Sequence, residues 1–340
     1  MDVLRARLAA QLLTGPPATS VGAAVERLLA VQSQELRAAR LGVRARSSGV
    51  HSQDVDDALA DRELVVSWLN RGTLHLVRAE DYPWLHALTT PQLATGNARR
   101  LREEGVSPAQ AEHGVALVER ELTDGPRTRS QLREVLDAAG VPTARQALVH
   151  VLLLATIRGI CVRGPVVGAE HAFVLVRDWL PPAEGVDHDA ALGELARRYL
   201  AGHGPSSHRD LATWAGIGLR EARAGLVRAG AEGSDLLTLP GARQGELAPG
   251  PPRLLGAWDE LLMGWVDRAP VLADSTSVVT KNGIFRPIAV VAGHAVATWR
   301  LVGGRVMLEP FAPLPDDVVR ALEQDAADVE RFVRPRVPLP

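Results

Sequence analysis

The chain has 340 residues, enough for two or three compact domains, and its 46% hydrophobic and 23% charged residues are ordinary for a globular protein. No run of 18 apolar residues occurs and no small-residue cleavage site follows the N-terminus, so we expect neither a membrane span nor a secretory signal. The net charge of −2 argues against a nucleic-acid binder, but residues 1–50 carry a net +4 and residues 51–90 a net −4, so one surface can still gather arginines.

Two rare residue types narrow the chemistry. Cys161 is the only cysteine, which excludes an internal disulfide and a Cys-based zinc site and fits a packing role in a cytoplasmic protein. Lys281 is the only lysine among 38 basic residues. A Schiff-base enzyme needs a lysine amine, and this one lies beside the turn signal Asn282-Gly283, where an amine is hard to desolvate.

The first 80 residues predict helices followed by strands. Apolar positions recur at helical spacing over 2–13, 21–31 and 52–61. The segments LGVRARS (41–47) and TLHLVR (73–78) alternate between apolar and polar residues, as half-buried strands do. Helices followed by a strand pair are typical of a winged helix.

An internal repeat supports that interpretation. GPRTRSQL begins at Gly125 and GPSSHRDL begins at Gly204, which is 79 residues later. Thr128 and Ser207 are each followed three residues on by a partner of the capping-box type, so both mark helix starts. Each helix is expected to end at a glycine, in AAGV and WAGI, before a second apolar helix begins. The alternative is that Gly-Pro before a cap residue is common and carries no repeat.

The C-terminal third predicts strands. Segments 179–189 and 240–252 are rich in Pro and Gly and are candidate linkers. Residues 286–310 alternate in hydrophobicity around GH (293–294) and GG (303–304), as antiparallel hairpins do, and a helix is expected over about 315–332. The predicted fold class is α+β and helix-rich, with three tandem winged-helix-like units and a β-rich C-terminal extension. The expected divisions are 1–90, 91–180, 181–250 and 251–340.

The most informative segment is Gln32-Ser33-Gln34-Glu35. Two side-chain carbonyls can accept hydrogen bonds from one water molecule and orient it. Because glutamine is not a strong base, such a site suits a reaction whose leaving group is already activated. In an extended backbone Gln32 and Gln34 share a face and Glu35 points away, whereas on a helix the two amides diverge. A catalytic role therefore requires a non-helical backbone over 32–34, and the alternative is a polar helix terminus with solvated amides.

Four segments resemble, in chain order, those of the AlkZ/YcaQ family of winged-helix DNA glycosylases, and together they cover about residues 20–330. They are VQSQELRAARLGVRAR, SWLNRGTLHLVRAEDYPWL, LLGAWDELLMGWVDR and NGIFRPIAVVAGHAVATWR. The family's catalytic motif is Gln-x-Gln, or Gln-x-Asp in the YcaQ branch, and Gln32 and Gln34 match the first form. The resemblance implies excision of N7-alkylated purines from double-stranded DNA. Some members also unhook interstrand crosslinks made by DNA-alkylating natural products, which raises self-resistance as a role.

Further site residues follow from these segments. Arg71 and His75 lie in a predicted hairpin, with Gly72 permitting a tight bend; Arg71 is expected on a phosphate and His75 near the sugar or the water. The alternative is a packed strand in which His75 is hydrogen-bonded internally. In the family picture Asp259 faces the cationic base from the cleft, although helix capping and a local ion pair are the simpler interpretation for the acids of WDELLMGWVDR.

Four arginines are candidate DNA contacts. Arg44 and Arg46 share one face of the predicted strand over 41–47 and are candidates for binding phosphates. Arg286 follows a turn and Arg300 ends a strand, so each could probe a groove. The alternative for Arg44 and Arg46 is a solvated surface arginine.

These observations predict a monofunctional DNA glycosylase in which Gln32, Gln34 and His75 are the catalytic candidates. We expect no cofactor and no metal, since no metal-ligand spacing occurs. We also expect a cytoplasmic, nucleoid-associated monomer. The alternative is a non-catalytic winged-helix DNA-binding protein or transcriptional regulator, which would commonly dimerise to read half-sites.

Overall fold

The computed structural model describes residues 2–182, 185–242, 249–273, 277–280 and 282–335. Over these residues the chain is α+β, as predicted, and contains sixteen α-helices and twelve strands. The helices are α1 Val3–Ala10, α2 Val21–Leu28, α3 Leu36–Arg44, α4 Ser52–Ala60, α5 Tyr82–Thr89, α6 Leu93–Glu103, α7 Pro108–Leu122, α8 Arg129–Ala138, α9 Ala147–Ile157, α10 Val176–Trp179, α11 His188–His203, α12 His208–Ala215, α13 Leu219–Arg228, α14 Glu260–Met263, α15 Ala269–Leu272 and α16 Asp316–Val333.

The strands are short, and the strand pairs described below are antiparallel. They are β1 Val31–Gln32, β2 Leu64–Leu69, β3 Thr73–Arg78, β4 Arg127–Thr128, β5 Cys161–Val167, β6 Glu170–Leu175, β7 Glu232–Gly233, β8 Leu237–Thr238, β9 Arg253–Leu255, β10 Ile288–Val291, β11 His294–Val302 and β12 Arg305–Pro310.

The chain forms two compact units, one from Met1–Val55 together with Leu192–Pro340 and the other from Asp56–Ala191. We refer to them as the terminal unit and the middle unit. The predicted module 1–90 includes residues of both units, so the division into four sequence modules is a different one, and it stays a prediction.

The middle unit is built on a sheet whose strands follow the order β3-β2-β5-β6-β4. The hairpin of β2 and β3 pairs Leu69 with Thr73, so the predicted strand at 73–78 is confirmed. All six residues of β2 are buried, and Leu148, Val151 and other apolar residues of α9 are buried as well. Burying these apolar side chains favours folding by about 25 cal/mol per Å² removed from water.

The two copies of the sequence repeat fold alike. Thr128 caps α8 and Ser207 caps α12, and each forms a complete capping box with the residue three positions on. Gly140 and Gly216 follow these helices with φ of 72° and 71°, the left-handed conformation that ends a helix at low cost when the residue is glycine. A second helix follows each glycine, α9 in one copy and α13 in the other. The predicted helix–turn–helix pairs are therefore confirmed.

The terminal unit carries a four-stranded sheet in the order β12-β11-β10-β9. Gly303 and Gly304, both with positive φ, turn β11 into β12 as predicted, whereas the first hairpin turns at Ala292-Gly293, one residue earlier than expected. The helix predicted over 315–332 is α16. The core of this unit draws on distant parts of the chain: Leu8, Leu13, Ala45, Leu255, Leu261, Leu262, Met263, Trp265, Val271, Val278, Ile288 and Val290.

The strand predicted over 41–47 is wrong, because α3 runs through Arg44. Its alternating pattern counted Arg44 and Arg46 as solvent-facing residues, but both are buried among carboxylates. Because Arg44 and Arg46 are buried together with Leu41 and Val43, apolar and basic residues do not lie on opposite faces as the strand prediction assumed. Of the two candidate linkers, 179–189 and 240–252, residues 183–184 and 243–248 lie outside the described residues.

Candidate active site

The Gln-x-Gln segment has a non-helical backbone. Gln32 ends β1, Ser33 and Gln34 are not helical, and α3 begins only after Glu35, whose φ of −123° and ψ of 129° are those of a strand. Gln32 is 6% exposed, whereas Gln34 and Glu35 are exposed. The non-helical backbone that a catalytic role requires at 32–34 is therefore present. The side chain of Gln32 is buried and that of Gln34 lies at the surface.

A buried glutamate anchors this segment. The backbone N–H of Gln32 donates to Oε1 of Glu260 at 2.8 Å, and the indole Nε1 of Trp214 donates to Oε2 of the same carboxylate at 3.2 Å. Glu260 is 1% exposed. Because both donors are buried and need an acceptor, the carboxyl group fixes the backbone at the first glutamine.

His203 lies next to this carboxylate, with its Nε2 3.6 Å from Oε2 of Glu260. Its ring stacks on Tyr199 at 4.8 Å between centroids and contacts the rings of Trp214 and Trp265. Burial raises the pKa of Tyr199, whose hydroxyl donates to the carbonyl of Gly264 at 2.7 Å. Glu260 is thus enclosed by rigid aromatic rings.

The neighbouring acid, Asp259, holds the chain in a different way. It caps α14 by accepting from the N–H of Leu261, which confirms the capping interpretation. Both of its oxygens also accept from Arg46, at 2.7 and 2.8 Å, and both side chains are fully buried. The side-chain amide of Gln11 links Arg46 to α14, since its Oε1 accepts from Arg46 and its Nε2 donates to the backbone carbonyl of Glu260.

This geometry corrects two predicted roles. Asp259 does not face an open cleft, because its carboxylate is neutralised inside the protein. Arg46 is 0% exposed and cannot bind a DNA phosphate, since its guanidinium already serves Asp259, Gln11 and the carbonyl of Gly42.

Arg44 is corrected for the same reason. It is 2% exposed and forms hydrogen bonds with both oxygens of Asp325 and with Asp328. Burial alone would raise the pKa of Asp328, but hydrogen bonds from Arg331 and Arg44 outweigh it and lower the pKa below its ordinary value of 3.8. Arg44 therefore ties α3 to α16.

The predicted hairpin with Arg71 and His75 is present in the middle unit. Arg71 is exposed in the connection between β2 and β3, with φ of 57°, and Gly72 follows with φ of 77°. The positive φ favours glycine at position 72, and a Cβ there would also lie within 3.3 Å of the side chain of Leu93, which would have to shift slightly. His75 is 1% exposed and its Nδ1 donates to the carbonyl of Thr73 at 3.0 Å, which is the internal bond that the alternative expected.

The other two arginines are at the surface of the terminal unit. Arg286 is exposed beside the bridge between Val279 and Phe285, and its backbone N–H donates to Val278. Arg300 projects from β11 and pairs with Glu309 at 3.0 Å, with the two side chains 64% and 52% exposed. An exposed pair of this kind contributes at most about 1 kcal/mol, so a phosphate can compete for Arg300.

Glu260 is the site residue that sequence reasoning missed. The segment WDELLMGWVDR placed two acids together, but nothing in it shows which of them reaches the Gln-x-Gln strand 228 positions earlier. The one available signal was a second carboxylate next to a helix-capping acid, where a single acid is sufficient for capping.

In the described part of the chain, no group of three or more His, Cys, Asp or Glu residues could hold a metal ion. Among the same residues, no helix is long and apolar enough to cross a membrane.

The chain is similar to known proteins over nearly its whole length. A family model described as DNA glycosylase AlkZ-like matches residues 25–332. The chain is 29% identical over 349 aligned positions to an interstrand DNA cross-link repair glycosylase of Streptomyces sahachiroi, covering 94% of this chain and 91% of that protein. The solved structure of the Streptomyces sahachiroi DNA glycosylase AlkZ superposes with a TM-score of 0.79 at 26% identity, covering 97% and 95% of the two chains.

The chain therefore belongs to the AlkZ-like family of DNA glycosylases, enzymes that act on N-glycosyl bonds. This membership removes the basis for the alternative of a non-catalytic regulator.

Proposed function

We propose that this protein is a monofunctional glycosylase that hydrolyses the N-glycosidic bond of N7-alkylated purines in double-stranded DNA, and that its substrates include interstrand crosslinks. The observation that carries the proposal is the non-helical Gln32-Ser33-Gln34 backbone, which Glu260 fixes at Gln32 and which leaves Gln34 exposed to solvent. The crosslink activity named for the Streptomyces sahachiroi relative supports the second part.

The chemistry follows from the charge of the lesion. Alkylation at N7 makes the purine cationic, so its departure leaves a neutral base and needs no strong general acid. The protein then has to stabilise an oxocarbenium-like sugar and deliver water to it. In our proposal the side-chain carbonyls of Gln32 and Gln34 accept hydrogen bonds from that water and orient it, a positioning role that amides can fill where other glycosidases use carboxylates.

His75 is the third catalytic candidate. Its Nδ1 lies 3.0 Å from the carbonyl of Thr73, a contact that orients the ring, and we propose that it acts near the sugar or the water. For DNA contacts we propose Arg71, Arg286 and Arg300, which lie at the surface, and we leave out Arg44 and Arg46.

Several broader features belong to the same proposal. The two helix–turn–helix pairs, followed by the strand pairs β5/β6 and β7/β8, support an arrangement of tandem winged-helix-like units. We further propose a monomeric, cytoplasmic and nucleoid-associated enzyme that needs no cofactor, with modules that follow the four-part sequence division.

The test is excision of N7-methylguanine from an oligonucleotide duplex by the wild type and by Gln34→Ala. We expect the wild type to release the base and Gln34→Ala to lose most of the activity, while Gln53→Ala, an exposed glutamine on α4, serves as the matched control. Glu35→Gln tests the neighbouring carboxylate. Loss of activity in Glu35→Gln together with full activity in Gln34→Ala would assign the chemistry to Glu35 and overturn the proposal.

A further inference from the structure

Two arginines of the middle unit flank one phenylalanine, and a third arginine lies near one of them. Phe173 on β6 is the register partner of Arg127 on β4 and also of Arg163 on β5. Because directly opposed residues of antiparallel strands project to the same side of a sheet, Arg127 and Arg163 flank the phenylalanine ring. Arg129 is close enough for its positive charge to repel that of Arg163. We call Arg127, Arg129 and Arg163 the arginine triad.

The stem of Arg163 is held rigidly. Its guanidinium carbon lies 4.6 Å from the ring centroid of Trp68 and 5.2 Å from that of Phe173. Burial lowers the pKa of Arg163 to about 10, and the charge of Arg129 adds to the effect. The two rings are 6% and 1% exposed, so they shield the cation and are not available for stacking on a base.

In the described residues, the arginine triad has no carboxylate partner within ion-pairing distance. Several exposed arginines of this unit do have carboxylate partners, as in the pairs Arg145–Glu104, Arg158–Glu112 and Arg177–Glu119. The acid on the same strand as Phe173, Glu170, is used by Ser130, whose backbone N–H and hydroxyl both donate to it.

The nitrogens of the triad divide into buried and accessible ones. Nε of Arg129 and Nε of Arg163 are buried without a hydrogen-bond partner. The terminal Nη nitrogens of both residues are not among the buried unpaired atoms, and both residues are only partly buried overall. Removing a cation from water without a counter-charge costs free energy. Binding an anion next to these guanidinium groups would lower that cost.

We propose that the arginine triad binds a phosphate of the DNA backbone. Guanidinium groups present paired N–H donors that match the oxygens of a phosphate, and a pre-oriented arginine loses little freedom on binding. A contact of this kind reads charge and not sequence, so it sets the position of the duplex on the middle unit. The identity of the anion rests on the proposed function, which supplies DNA as the substrate.

The test is the affinity for an undamaged duplex, measured by fluorescence anisotropy across a series of NaCl concentrations. We expect Arg129→Gln and Arg163→Met to weaken binding about tenfold each and to reduce the slope of log K against log salt by about 1. Arg158→Gln and Arg177→Gln change the net charge equally but remove paired arginines of the same unit, and we expect little change from them. Methionine at 163 keeps contact with the two rings, and the melting temperature of each variant reports whether it folds.

Binding to undamaged duplex requires no excision, so the two proposals fail separately. Wild-type affinity and salt slope in folded Arg129→Gln and Arg163→Met would overturn the phosphate site and leave the glycosylase chemistry intact. An equal loss in Arg158→Gln and Arg177→Gln would also overturn it, because the effect would then be one of net charge. Duplex binding through the triad without release of any alkylated base would support the site and contradict the proposed function.

As a second measurement, we compare the melting temperature in sodium phosphate and in NaCl at matched ionic strength. We expect phosphate to stabilise the wild type more than Arg163→Met. Stabilisation by phosphate with no change of duplex affinity in the variants would show that the triad binds free phosphate, and would overturn its assignment to DNA.

Discussion

Replacing Glu260 tests how much the catalytic segment depends on its anchor. Its carboxylate accepts from the backbone N–H of Gln32 and from the indole of Trp214 while being 1% exposed. Glu260→Ala leaves two buried donors without an acceptor, at about 1–3 kcal/mol each, so we expect a loss of about 2–6 kcal/mol of stability. A domain is commonly stable by only about 5–15 kcal/mol, so the variant should remain folded at low temperature but melt earlier.

The functional consequence is displacement of Gln32. A misplacement of about 1 Å at a catalytic group can cost about 100-fold in rate, so we expect Glu260→Ala to reduce single-turnover excision by that order. Glu260→Gln keeps one carbonyl oxygen and should lose less, since only one of the two donors is then left opposite an N–H group. Affinity for undamaged duplex should not change, because Glu260 is buried and contacts no surface arginine candidate.

The matched control is Asp325→Asn. Asp325 is also a buried acid of the terminal unit, 5% exposed, and it accepts from Arg44, Arg253 and the N–H of Leu254, none of which belongs to the Gln-x-Gln segment. We expect it to lower the melting temperature without slowing excision below that temperature. Wild-type excision by folded Glu260→Ala, or an equal loss in Asp325→Asn, would refute the anchoring role.

Three further outcomes follow from buried groups. Asp259→Ala leaves the charge of Arg46 unpaired in the interior, and we expect a loss of about 3–5 kcal/mol in denaturant unfolding; a loss under 1 kcal/mol would contradict the buried pair. Because the pKa of Asp328 is lowered in the folded protein, the carboxylate stabilises the fold above about pH 4. This contribution is lost as the pH falls through the pKa of Asp328 in the folded protein. The penalty of Asp328→Asn should therefore be largest at pH 7 and shrink as the pH falls below about 4, and an equal penalty at every pH would show that the carboxylate charge is not responsible. Burial raises the pKa of the Cys161 thiol to about 12, so DTNB should label it only after unfolding, and rapid labelling of the native protein would contradict its burial.

The predictable parts of the fold were those in which local signals agree. Thr128 and Ser207 predict helix starts because their capping boxes involve residues only three positions apart. Gly303-Gly304 predicts a hairpin turn because the turn needs only these two residues with positive φ. The strand over 41–47 failed because buried arginines look solvent-facing in a hydrophobicity pattern. Only the distant acids that pair with Arg44 and Arg46 explain why these arginines are inside.

The same limit applies to the site. Gln32 and Gln34 stand out in the sequence because they lie two positions apart, and a catalytic pair at that spacing requires a non-helical backbone, which the structure has. Glu260 could not be found in this way, since it approaches Gln32 only through the fold. The arginine triad was also hidden, because Arg127 and Arg163 become neighbours through the strand order of the middle sheet.

The measurement that tests the central claim most directly is the release of N7-methylguanine from duplex DNA by the wild type and by Gln34→Ala. We expect release by the wild type and loss of most of that activity in a Gln34→Ala variant that still binds undamaged duplex normally. Full activity in the variant, or no release of an alkylated base by the wild type, would contradict the claim that a pair of glutamine amides positions the attacking water.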